Sequence, residues 1–434
     1  MATRCAVGGW SQSRDGSGKR AKRTTFAGVA VMWLRLLTLA VAFVAVPSHA
    51  KDQEGYRIGA WYMPTWRADV ESLHIRQSAK IYGRQDPWGG IRDYAEGHGR
   101  YPTGMGETDS QADFSGRKPK LGFYDLRQSG VIQEQIRQAK TGGLAFFSFY
   151  WYWDSDTQRE LYDTAWRFLE ADVARSLTYV LAGITISKKP ISLLEWRSRI
   201  VPVLVEKYFA HPNYMRIDGR PVFIDFNLRF DNRGTSDIAY SILRDAAKKQ
   251  LGVEPFLLKR VGKQTNALHL RHFLVQQGFD GLTCFRFPIE RPAEPYLVTI
   301  TRWHRELDSW VSAARNWQGN EVAFVPCGTT AFDARPWYMI GWGPWVKTEF
   351  RKPSDRPFNL PAAPGEFSMH LQYLRDILDQ HPNLTHKMAI LYAWNEWGEG
   401  GTIEPSEKND DALLHTIRDV FWKSPQPASK VLVH

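Results

Sequence analysis

From residue 56 onward the chain alternates between short apolar runs and longer stretches with an apolar residue every third or fourth position. The short runs fit strands buried on both faces, and the longer stretches fit amphipathic helices. Read in order, they predict strands at 57–64, 144–153, 177–187, 221–227, 255–262, 281–287, 321–328 and 387–397. Helices are expected between them at 131–140, 158–174, 192–210, 236–250, 267–277 and 301–317, followed by one ending at Gln380 and a last one over 410–422. Pro202 falls inside the third of these helices and is a candidate break.

Eight strand–helix pairs in one uninterrupted series describe an α/β protein: a single (β/α)8 TIM barrel over residues 51–434, with long βα loops after strands 1 and 7. A doubly wound sheet would alternate too. It usually opens with a glycine-rich phosphate loop, whereas strand one here runs into Met63-Pro64-Thr65-Trp66. No internal repeat or low-complexity linker divides the series.

Charge changes the picture only at the start of the chain. The formal charge is +10, but residues 1–50 hold seven Lys/Arg against one acid, whereas 51–434 hold 49 bases against 45 acids. The excess is therefore mostly a leader effect. No basic run interleaved with aromatics suggests a nucleic-acid partner. The leader reads as a signal peptide: a basic region, the apolar stretch Leu36–Val46, Pro47, and then Ser48-His49-Ala50 with cleavage expected after Ala50. An uncleaved anchor is the alternative. With cleavage the mature chain is expected to be secreted or periplasmic, with no stable membrane insertion.

Cys284 and Cys327 both fall in predicted strands and either pair or remain buried thiols, while Cys5 leaves with the leader. The twelve His are scattered, with no HExxH, so neither a metal nor a cofactor is called for.

Aromatics make up 13% of the chain, including 18 Trp, more than a core requires. In a barrel, the C-terminal strand ends form the active-site rim. The rim collects Trp61 and Tyr62 from strand one, Tyr150 and Tyr152 from strand two, and Asp225 from strand four. Arg286 ends strand six, loop seven brings Asp333, Arg335 and Trp342, and strand eight delivers Trp394, Asn395, Glu396, Trp397, Glu399 and Glu404. Flat aromatic faces suit the C–H face of a pyranose, and amides, carboxylates and Arg suit its hydroxyls. Cleaving a glycosidic bond takes two carboxyl groups, one protonated and one ionised. Glu396 and Glu399 stand three apart, so they share a face only on a tight turn, which Gly398 and Gly400 permit. Two carboxylates that close repel, which raises one pKa and supplies the acid. The plainer reading makes the pair a solvated start to the last helix, and makes Asp333 and Arg335 a simple ion pair.

WNEWGEGGTIEP at Trp394–Pro405 resembles the signature of the glycoside hydrolase family 99-like proteins, also called WbsX-like. The likeness extends to 122–143, to the aromatic run 146–153 and to 208–226. That resemblance implies a (β/α)8 barrel and an endo-acting, retaining, metal-independent enzyme on α-mannosides. It implies that Glu396 deprotonates a sugar 2-OH to give a 1,2-anhydro intermediate and that Glu399 is the general acid/base, with Glu404 matching the trailing motif glutamate. The chain departs from the family pattern at Gly183–Ser187, which lacks an acidic residue, and at Phe332–Pro336, which matches loosely. Some WbsX-like members are described as glycosyltransferases of surface-polysaccharide assembly. A carbohydrate is thus the expected partner and hydrolysis the expected reaction, with a transferase or a catalytically dead carbohydrate-binding barrel as rivals.

Overall fold

The computed structural model describes residues 55–69, 85–97, 113–262, 265–336, 357–363 and 365–423. The expected leader, its cleavage after Ala50 and the loop-seven platform Trp342 lie outside the described residues.

Strands β1 (Arg57–Tyr62), β2 (Phe146–Asp154), β3 (Thr178–Thr185), β4 (Arg220–Asn227), β5 (Phe256–Arg260) and β6 (Gly281–Thr283) pair in that order, all parallel. Strand β7 comes in two halves, Ala323–Val325 and Cys327–Thr329, separated by Pro326. The first half pairs with β6 and the second with β8 (Met388–Tyr392), which pairs back to β1. Proline has no N–H to give, but its carbonyl is free, and Ile390 N–H donates to it at 3.0 Å. The circle thus closes through one strand in two pieces, giving eight staves. This is the (β/α)8 barrel that the alternating pattern predicts.

The helices follow as expected: α1 (Val131–Thr141), α2 (Thr164–Ala171), α3 (Leu193–Glu195, Trp196–Ile200 and Val203–Phe209 in succession), α4 (Arg233–Leu251), α5 (Ala267–Arg271 running on through His272–Gln276), α6 (Tyr296–Arg315), α7 (Glu366–Gln380) and α8 (Ala412–Trp422). Pro202 does not break α3, because the turns on either side widen to a π-helical pitch. One expected helix starts late. Arg159–Glu160 form a short antiparallel strand against Trp153–Asp154, and α2 begins only at Thr164.

Alternation along β2 sorts its aromatics. Phe147 and Phe149 pack outward on Phe168 of α2 at 5.8 and 5.1 Å. Trp151 and Trp153 give their indole N–H groups to Glu160 and Glu195 at 2.9 and 2.7 Å. The opposite parity leaves Tyr150 and Tyr152 for the barrel interior. Cys284 and Cys327 form a disulfide joining the residue after β6 to the second half of β7, which resolves the pairing left open by the sequence. Among the described residues no helix is long and apolar enough to cross a membrane, and no group of three or more His, Cys, Asp or Glu is arranged to hold a metal ion.

Candidate active site

Five aromatic rings from or just beyond five different strands meet at the C-terminal end of the barrel. Trp61 (β1) stacks on Tyr150 (β2) at 5.8 Å and meets Phe226 (β4) at 5.5 Å and Phe285, just past β6, at 5.9 Å. Phe285 in turn meets Tyr392 of β8 at 4.8 Å. Rings from so many staves can meet only inside the barrel, so this cluster is its floor.

The segment after β8 folds back over that floor. Asn395–Glu396 pair antiparallel with Gly401–Thr402. The N–H groups of Glu399 and Gly400 both donate to the Glu396 carbonyl, at 3.0 and 2.8 Å. This is the tight turn that lets residues three apart share a face. Gly400 has φ +73, and a Cβ there would collide with the Arg117 guanidinium. At Gly401 a Cβ would strike the Tyr392 ring. Both sites therefore require glycine. Arg117 fixes the turn from below, donating to the carbonyls of Trp397 and Asp333, each at 2.9 Å. The Asp333 N–H donates to the Glu399 carbonyl at 2.7 Å.

The two carboxyl groups sit in unlike surroundings. Glu396 is buried, 6% exposed. Burial pushes its pKa well above the ordinary carboxylate value, and the neighbouring Glu399 pushes it further; the Tyr150 hydroxyl and the Arg286 guanidinium pull the other way more weakly. The Glu399 side chain is 28% exposed; it accepts the Tyr392 hydroxyl and has Arg286 Nε 4.0 Å from the same oxygen. Tyr150, Tyr152 and Tyr392 are all pushed well up, first by burial and then by the glutamates, so they stay neutral donors. Trp61 Nε1 and Arg286 Nε are buried without a hydrogen-bond partner among the described residues. Buried donors left open in this way are uncommon in a native fold and fit a place where a ligand supplies the acceptors.

Trp61, Tyr150, Tyr152, Glu396 and Glu399 thus converge as expected. Several other candidates do not. Tyr62 has the opposite parity to Trp61: it packs on Phe149 and Phe168 at 4.5 and 5.0 Å and donates to Gln135 at 2.7 Å, in the layer between sheet and helices. Trp394 meets Phe147 at 5.0 Å on that same outer side. Asp225 also faces outward. It accepts the Tyr240 hydroxyl of α4, pairs with Lys259 at 2.7 Å, and lines a cleft of about 340 Å³ between α4 and α5. Phe226, one residue on, takes the inward place.

Three residues of the strand-eight motif work as braces. The Asn395 side chain accepts from Met63 N–H at 2.7 Å and donates to Met63 carbonyl at 3.0 Å, tying the turn to β1. Trp397 gives its indole N–H to Glu404 at 2.9 Å. Glu404 also accepts from Tyr124 at 2.8 Å and Gln135 at 2.6 Å, and burial raises its pKa to about 7. Arg335 follows the plain reading: it pairs with Asp333 at 2.7 Å and lies 3.7 Å from the Phe358 ring. Sequence reasoning missed Arg117, Tyr392 and Arg260 and gave Arg286 no role. The signal for Arg117 lay in the turn itself, because a guanidinium occupies the space left by the missing side chain of Gly400.

Residues 196–417 match the family described as glycosyltransferase WbsX. The uncharacterized protein WxcX from two strains of Xanthomonas campestris pv. campestris is 23% identical over 342 residues, covering 72% of this chain and 44% of its own length. The chain therefore spans less than half of those curated relatives. Among solved structures, a glycoside hydrolase-like protein is 14% identical with a TM-score of 0.54, covering 86% of this chain and 96% of that one, which is a likeness of fold. A GH99 endo-alpha-mannosidase from Bacteroides thetaiotaomicron is 13% identical with a TM-score of 0.49, covering 84% of this chain and 96% of that one. The family match runs from α3 through β8 into α8, across both glutamates and more than half of the sequence, and on that ground the chain belongs to the WbsX family.

Proposed function

We propose that this protein is a glycoside hydrolase, secreted or periplasmic, that cleaves a polysaccharide or glycan internally and with retention of configuration. The observation that carries this reading is the turn after β8, which holds Glu396 and Glu399 on one face above an aromatic floor with open hydrogen-bond donors. The Cys284–Cys327 disulfide supports an oxidising compartment.

Burial and Glu399 both disfavour charge on Glu396, so its protonated form is favoured relative to an ordinary carboxyl group. Glycosidic cleavage uses that arrangement: the protonated partner donates to the departing oxygen while the ionised one acts on the ring. In the route carried over from the family, Glu396 is the base toward the sugar 2-OH and Glu399 the acid. A group whose charge is disfavoured is a strong base once ionised. A 2-OH donating to Glu396 would stabilise that charge. Asn395 and Glu404 hold the turn in place.

The test is a digest of a glycan library by the full chain, with the anomer of each product followed by NMR. Release of products with retained configuration supports the proposal. The absence of cleavage across neutral and acidic glycans would sink it. The family description favours a second reading, glycosyl transfer by the same pair. Product growth that depends on an activated sugar donor would establish that reading instead.

A further inference from the structure

The barrel mouth contains two arginines that the proposed chemistry leaves idle. Arg260 ends β5 and Arg286 follows β6, and Arg260 pairs in register with Thr283. Arg260 lies 4.7 Å from the Phe226 ring and gives its Nε–H to the Phe226 carbonyl at 3.0 Å. Arg286 lies 3.7 Å from the Phe332 ring and 6.0 Å from Phe285, and donates to the Phe287 carbonyl at 3.3 Å. Phe226 and Phe285 pack 4.9 Å apart, so the two guanidinium groups border one aromatic pair.

Several arginines elsewhere in this molecule pair with acids, although Arg117 and Arg216 bond to backbone carbonyls. Arg220 and Arg244 share Asp280, Arg302 pairs with Glu294, and Arg335 with Asp333. Among the described residues Arg260 has no carboxylate within ion-pair distance, and Arg286 only reaches Glu399, at 4.0 Å and without a hydrogen bond. Asp225, the acid nearest in sequence on β4, is already held by Lys259 and Tyr240. Burial depresses the Arg260 pKa most; Asp225 and Tyr150 oppose this, and the like charge of Arg286 adds to the depression. Two cationic forks braced on rings, with only that 4.0 Å approach to a carboxylate among the described residues, make a receptor for an oxyanion.

Building on the glycan reading above, we infer that the sugar seated in the barrel mouth carries an anionic group, a uronate carboxylate or a sulfate ester, received between Arg260 and Arg286. A neutral hexose would leave Arg260 without an opposing carboxylate among the described residues and Arg286 with only the 4.0 Å approach of Glu399, whereas an acidic one supplies oxygens to both beside the aromatic pair. Either anion presents oxygens at the spacing of a guanidinium edge, which fixes the ring relative to Glu396 and Glu399.

The test is equilibrium binding by saturation-transfer NMR on the full chain, with glucuronate, glucose 6-sulfate, glucose and mannose as probes at low and high salt. The expected result is saturable binding of at least one acidic probe, weakened by salt, at concentrations where glucose and mannose show none. Binding of glucuronate alone identifies a uronate site, and of the sulfate alone a sulfate site. R260Q and R286Q should each weaken the acidic probe by roughly ten- to a hundredfold. R260K and R286K, which keep the cation but lose the fork, serve where glutamine disturbs folding, and should fall between. The inference is overturned if neutral and acidic sugars bind alike, if no acidic probe binds, or if folded variants bind the acid as the parent does. No bond is cleaved in this assay, so failure of the hydrolase reading leaves its outcome intact. Turnover of neutral glycans without acidic binding would sink this inference alone.

Discussion

Glu396 and Glu404 lie eight residues apart, both buried, both with their charge disfavoured by burial, yet their surroundings are opposite. Glu404 accepts three neutral donors, from Tyr124, Gln135 and Trp397, and Gln135 is in turn held by Tyr62. Around Glu396 there is a second carboxyl group, and nearby donors on Trp61 and Arg286 have no hydrogen-bond partner among the described residues. A satisfied buried carboxyl group is a structural joint. One set beside a like charge and open donors costs stability, and that is the arrangement the proposed chemistry calls for.

Removing each carboxyl group in turn separates the two surroundings most sharply. E399Q keeps the shape of the turn but removes the carboxyl group, and turnover of whichever glycan the library digest identifies should fall by about 10²–10⁴-fold. E396Q should lose turnover similarly and yet raise the thermal midpoint at neutral pH, since it relieves a buried, repelled acid. Thermal unfolding and initial rates measured on the same samples check both halves. An E396Q protein that is less stable than the parent would mean that Glu396 is a joint like Glu404.

The converse holds at Glu404. E404A strands the Tyr124 hydroxyl, the Gln135 amide and the Trp397 indole, and should cost about 3 kcal/mol or more in denaturant unfolding. E404Q isolates the charge. The folded pKa is about 7 against an unfolded value near 4.5, so the protonated carboxyl group is favoured in the fold. Its contribution is fully present below about 4.5 and is lost as pH rises to about 7, a change on the order of 3 kcal/mol at most. The difference in unfolding free energy between parent and E404Q should therefore vary across that window and level off above it. A flat difference from pH 4 to 8 would contradict a buried, titrating Glu404.

The sequence made the staves and their order legible, because parallel strands buried on both faces read as apolar runs and the helices kept a clean period. Which face a strand residue took was not legible, for the same reason. In VFIDF both parities look buried, so Asp225 and Phe226 were interchangeable until α4 and Lys259 claimed the acid. Tyr62 against Trp61 is the same ambiguity. The motif Trp394–Pro405 marked the site, but amides, indoles and acids brace a turn with the same chemistry they use to hold a sugar. Nothing local separates Asn395 and Glu404 from Glu396. Arg159–Glu160 were hidden because Gln158 turns the chain at φ +54 without the glycine or asparagine that usually signals such a turn.

Tyr392 gives the finest division between joint and chemistry, and it carries the smallest expected effect. Within an apolar strand it reads as core, and its ring is core: it meets Phe285 at 4.8 Å and closes off any side chain at Gly401. Its hydroxyl is different, because it is donated to Glu399, the more exposed of the paired carboxyl groups. Y392F keeps the ring and deletes only that donor. Packing should survive, with a change in unfolding free energy of no more than roughly 1 kcal/mol. Without that donor the Glu399 carboxyl group is held less firmly in the orientation its proposed role requires. Turnover should then fall by about tenfold or less. A rate identical to the parent's would leave Tyr392 a packing residue. A slower rate with an unchanged thermal midpoint would make the hydroxyl part of the proposed machinery.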